Sequence, residues 1–104
     1  MYTINGYYGI EEIKNIFDLP CYDRCKSFYG KAQIIETDKG RYLKSYNTLI
    51  CFLSYGGTFI KLWDGYSQTT QRHINSFIEF TRIPIVKGKK AYSELPNNFK
   101  LWEA

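Results

Sequence analysis

The spacing of apolar positions changes along the chain, and each change predicts an element. Over residues 9–19, Ile10, Ile13, Ile16 and Phe17 recur at intervals of three and four, with Glu11, Glu12, Lys14 and Asn15 on the other side. That spacing predicts a short amphipathic helix, with Glu11 and Glu12 in a first turn that favours negative charge and Pro20 ending it. Over residues 28–37 the helical period disappears and aromatic and β-branched residues dominate, which predicts a strand. Asp38-Lys39-Gly40 supplies a turn, so residues 41–53 are expected to return antiparallel. This second stretch is long for one strand, and a bend or bulge is expected near Ser45 to Thr48. Tyr55-Gly56-Gly57 makes another turn before a strand over 58–63. The middle of the chain thus reads as an antiparallel meander of three strands, or four if Asn47 breaks the long segment.

A further helix is expected from near Thr70, capped by Ser67 or Thr69, with Ile74, Phe77 and Ile78 as the stripe that covers the sheet. Gly65 permits the change of direction into it, with Trp63 and Tyr66 packing over its start. The tail carries Pro84, the run Lys87-Gly88-Lys89-Lys90 and a short helix over 91–95 before Pro96. The expected fold class is α+β: a three- to four-stranded antiparallel meander packed against a helix, with an additional N-terminal helix. At 104 residues a single domain, 1–104, accounts for the whole length.

With 44% apolar and 23% charged residues, the composition excludes a disordered chain. The longest uncharged stretch, residues 45–60, is interrupted by Asn47, Ser54, Gly56 and Gly57, so no membrane span is expected. The N-terminus has neither the basic start nor the apolar run of a secretory signal, which predicts an intracellular, cytoplasmic protein.

Cys21, Cys25 and Cys51 form an odd set at low density, unlike a disulfide-stapled scaffold. Cys21 and Cys25 are spaced CxxxC, and His73 is the only histidine, so neither a redox pair nor a structural zinc site is expected. Cys51 lies in an apolar run and reads as a core residue. Pairing His73 with a cysteine would give a nucleophile and its base, but spacing alone does not bring them together. Without a spaced pair of carboxylates either, the expectation is a protein that is not an enzyme and carries no cofactor. Ser67, Thr69 and Thr70 surround a helix N-terminus, where backbone N–H groups favour an anion. The alternative is that these hydroxyls only cap the helix, with His73 four residues before Phe77 at the margin of the core.

Charge sharpens the picture. Residues 1–23 carry Lys14 against Glu11, Glu12, Asp18 and Asp23, a net of −3, which leaves +7 of the total +4 for residues 24–104. The basic region is also aromatic, in a chain whose aromatic content is 18%. The candidates for contact with a partner or a nucleic acid are Arg24, Lys26, Tyr29, Lys31, Arg41, Tyr42, Lys44, Tyr66, Arg72, Lys87, Lys89 and Lys90. Cations that track phosphates and rings that stack on bases suit nucleic acid, while Tyr and Arg also anchor protein interfaces. A half-buried sheet with aromatics on one face and lysines on the other would produce the same composition.

Three motifs, Ser27-Phe-Tyr-Gly-Lys-Ala32, Ser45-Tyr-Asn-Thr48 and Leu62-Trp-Asp-Gly-Tyr-Ser-Gln-Thr-Thr-Gln-Arg-His-Ile-Asn-Ser-Phe77, occur in order. Over residues 22–80 the chain resembles short, uncharacterised proteins of phages and mobile elements in low-GC Gram-positive bacteria. The resemblance implies no established activity. Its association implies a small protein acting on host machinery or on element DNA. The functional expectation is therefore a non-enzymatic inhibitor of a host nucleic-acid-targeting defence, anti-CRISPR-like, that contacts the effector protein or its guide RNA in the bacterial cytoplasm. The alternative is a DNA- or RNA-binding regulator of the element.

Overall fold

The computed structural model describes residues 2–20 and 30–102. Its first reversal lies at Tyr7-Tyr8, between Gly6 and Gly9, where Gly9 takes a φ of 99° that side-chain-bearing residues rarely adopt. Strand β1, Thr3–Gly6, turns there into β2, Gly9–Asp18, and the two pair antiparallel. The N-terminal helix expected over 9–19 is therefore a hairpin arm. A bulge between Ile13 and Asn15 explains the misleading period. It inserts one residue into a strand whose side chains alternate, so Ile13 and Ile16, three apart, share a face opposite Thr37 and Ile35. Their β-branched side chains suit a pleated surface.

Strands β3 (Ala32–Thr37), β4 (Gly40–Ser45), β5 (Thr48–Ser54) and β6 (Thr58–Lys61) follow as a meander. Tyr46-Asn47 forms the turn between β4 and β5, with Tyr46 at a φ of 53°. Helix α1, Gln68–Thr81, and the short α2, Lys89–Ser93, come next, and β7, Asn98–Lys100, returns to pair with β6. Among the described residues the sheet has seven strands in sequence order, all pairs antiparallel. This replaces the expected three- or four-stranded meander with its N-terminal helix. β7 escapes sequence reading because three residues after Pro96 show no alternation.

Alternation along the strands gives the sheet two apolar faces. One packs Ile34, Leu43, Cys51 and Phe59 against Ile74, Phe77 and Ile78 of α1, with Ile83, Ile85 and Tyr92 completing the cluster. The other carries Ile35, Tyr42, Phe52 and Ile60. The sheet curls so that the β1–β2 hairpin stands over this second face: Ile4 and Ile13 pack on it, Tyr8 meets Phe52 edge-on, and Asn98 donates to the Tyr7 hydroxyl. Glu11, expected on a solvated helix face, is fully buried here. Its carboxylate accepts from Tyr42 Oη (2.7 Å), Thr37 Oγ1 (2.7 Å) and the Tyr8 amide (3.2 Å).

Candidate nucleic-acid interface

The up-and-down order of the strands decides which side chains meet. The start of β3, the β4–β5 turn, the exit from β6 and the start of α1 all lie at one end of the sheet. Ser67 caps α1 by accepting from the Thr70 amide (3.0 Å) and donates its own proton to Thr70 Oγ1 (3.0 Å). Thr70 Oγ1 meets Ser45 Oγ at 3.2 Å, and Ser45 Oγ lies 2.8 Å from His73 Nδ1. This chain of hydroxyls ties the helix to the end of β4. Ser67 and Thr70 are thereby capping and bridging groups, and Thr69 lies half-buried beside them.

Around this junction the fold gathers cations and rings. Tyr46 is exposed, its ring 5.9 Å from that of His73 and its amide donating to the Lys31 carbonyl. Lys44, opposite Gln33, lies beside Ser45 at the end of β4. Between the β6–α1 connection and α2 lies a cleft of about 300 Å³, lined in part by Lys61, Trp63, Tyr66, Gln71, Lys89 and Tyr92. Lys61 Nζ donates to the carbonyls of Tyr92 (3.1 Å) and Leu95 (3.0 Å), which fixes α2 against the sheet. Its ammonium lies 5.0 Å from the centre of the Tyr92 ring, and that of Lys89 lies 4.2 Å from the centre of the Tyr66 ring. Gly65 leaves room for Trp63, whose indole occupies the space a Cβ at 65 would need.

Of the sequence candidates, Lys31, Lys44, Tyr66, Arg72, Lys89 and Lys90 belong to the segments that meet at this end. Arg41 does not: at the start of β4, its Nε donates to Glu36 (2.9 Å) and its guanidinium packs over Phe80. Lys87 pairs with Glu79 at 2.7 Å. Tyr42 is corrected outright, because its ring is fully buried under the hairpin and its hydroxyl, pushed up in pKa by burial and by its bond to Glu11, serves the core. Arg24, Lys26 and Tyr29, with Cys21 and Cys25, lie outside the described residues. The sequence reading missed Lys61, Gln71 and Tyr92 as cleft residues. Lys61 and Tyr92 are 31 residues apart, and no local pattern links them.

Among the described residues, His73 and Cys51 are placed away from solvent. His73 is fully buried, and burial first, then Arg72 and Lys31, lowers its pKa to about 4, so the imidazole is neutral at pH 7. Cys51 is also fully buried, and burial pushes its thiol up; the neighbouring Tyr92 hydroxyl is raised by burial as well. Among the described residues, no three His, Cys, Asp or Glu side chains converge as metal ligands, and no helix is long and apolar enough to cross a membrane.

Comparison with known families places the chain: residues 18–94 match DUF8033, a family of unknown function, and the chain belongs to it. No curated protein and no solved structure matches.

Proposed function

We propose that this DUF8033 member is a non-enzymatic binding protein that engages single-stranded nucleic acid through the end of the sheet where α1 begins. The observation that carries this is the convergence of Lys89 with Trp63 and Tyr66 around one cleft, walled by Lys61 and the buried Tyr92, with Lys31, Lys44, Tyr46 and Arg72 at the same end. Rings that accept stacked bases beside ammonium groups that neutralise phosphates are the two components of strand binding without strict sequence preference. The buried, neutral His73 and the buried Cys51 favour binding over the enzymatic alternative that would use them. In the phage or mobile-element setting that the sequence resemblance implies, the strand is a guide RNA or the element's own nucleic acid. Inhibition of a host nucleic-acid-targeting defence would then follow from occupying its RNA.

Titration with a fluorescent single-stranded octanucleotide at several salt concentrations tests this. Contact with about four phosphates gives log affinity against log salt a slope near −3, for the single-strand value of about −0.7 per phosphate. Charge removal at Lys31, Lys44 and Lys89 together should flatten the slope by about 2. Absence of binding at about 50 mM salt, or binding indifferent to salt, would overturn the assignment.

A further inference from the structure

The cleft itself is more specific than a basic surface. Its volume, about 300 Å³, is at the lower limit of pockets that hold small molecules, enough for one nucleotide and too small for a folded segment. Three rings line it, and the face of Tyr66 is already occupied by the Lys89 ammonium while that of Tyr92 meets Lys61. Lysines held on rings, with Asp64 as the only carboxylate in the lining among the described residues, leave the cleft positive. That combination disfavours a cationic ligand, which would compete for the same ring faces, and favours an anion carrying a planar group.

We infer that the cleft between the β6–α1 connection and α2 is a subsite for a single unstacked nucleotide, its base against Tyr66 and Trp63 and its phosphate on Lys89. This rests on the nucleic-acid assignment above and adds a defined place for one base. Entry exchanges the Lys89–Tyr66 contact, which spans the cleft at two exposed side chains and is weak there, for stacking on the ring and pairing of the ammonium with phosphate. Lys61 stays in place, because its bonds to the Tyr92 and Leu95 carbonyls hold α2 as one wall. Gln71 is oriented by donating to Asn75 Oδ1 (3.0 Å), which also accepts from the Gly88 amide (3.1 Å). An amide held this way is the kind of group that reads the edge of an unpaired base.

The two tryptophans make the test internal. Trp63 lines the cleft, whereas Trp102 packs on Gly57 at the opposite end of β6. Their indole N–H resonances are followed while uridine or adenosine 5′-monophosphate, inorganic phosphate or an oligouridylate octamer is added. The inference expects the monophosphates and the octamer to move the Trp63 signal and leave Trp102 in place, with inorganic phosphate having little effect. Tyr66→Leu should weaken octamer binding about tenfold, within the range for loss of one stacked base, and Lys89→Ala, at an exposed position, should reduce the salt slope by about 0.7. Octamer binding that leaves Trp63 unmoved and is unaffected by Tyr66→Leu overturns the subsite while strand binding stands. A monophosphate that moves Trp63 when the octamer fails to bind supports the subsite and removes the strand-binding assignment. Failure of both ligands to bind overturns the two together.

Discussion

His73 has exchanged water for Ser45, and this exchange ties the stability of the junction to pH. Above about pH 6.5 the imidazole is neutral in both the folded and the unfolded chain. Between that value and about 4 only the unfolded chain binds the proton, so stability falls as the pH falls through this window. The expected loss is about 3 kcal/mol by pH 4. Urea unfolding at pH 7, 5.5 and 4.5 measures it, with His73→Gln as comparison because Gln retains polar groups for Ser45 but cannot titrate. A wild-type protein whose pH dependence matches that of the variant would remove His73 as the cause. The residue's place four before Phe77 was legible in the sequence; its complete burial was not, because it depends on Ser45 and Tyr46, which arrive from another strand and its turn.

The β1–β2 hairpin is held on the sheet by polar groups at its centre. Glu11 accepts three hydrogen bonds from uncharged donors, and the Tyr42 hydroxyl that donates one of them accepts from the Tyr7 amide (2.8 Å). Gly6 makes this approach possible, because a Cβ there would overlap the Tyr42 hydroxyl and the Glu11 carboxylate. Glu11→Ala strands the hydroxyls of Tyr42 and Thr37, and Gly6→Ala pushes the arm away from the sheet; each is expected to cost about 2 kcal/mol. Amide exchange should accelerate at Ile4 and Ile13 while Phe77 and Ile78 in α1 keep their protection. Uniform acceleration, or none, would show that the hairpin is not a separately docked element. A bulged strand escaped the hydrophobic pattern because one inserted residue converts a spacing of two into one of three. The chemical type of the residues, isoleucines preceded by Gly6 and Gly9, carried the better signal.

Across the whole molecule, turns made β3 and β6 readable and left β4 and β5 as one long segment or two, and the stripe Ile74, Phe77, Ile78 located α1. The candidate interface was legible only in part. Charge and ring content identified Lys31, Lys44, Tyr66 and Lys89, but the cleft needs α2 held beside the exit from β6, an arrangement made by Lys61 and two backbone carbonyls. Short turns join β1 to β2 and each of β3 to β6 to the next, residues 19–31 join β2 to β3, and β7 reaches β6 only after both helices have formed the intervening chain. Local closures cost little chain entropy, and the closure of β7 onto β6 costs more. The order of strands therefore implies an order of events in folding: β3 to β5 assemble first, and β7 docks late. Ile34→Val should then slow refolding, whereas Phe99→Leu should mainly speed unfolding, as the two arms of a chevron would show. The hydrogen bond between Asn98 and Tyr7 joins the late strand to the tip of the hairpin, so the last contact made in folding is the first expected to open.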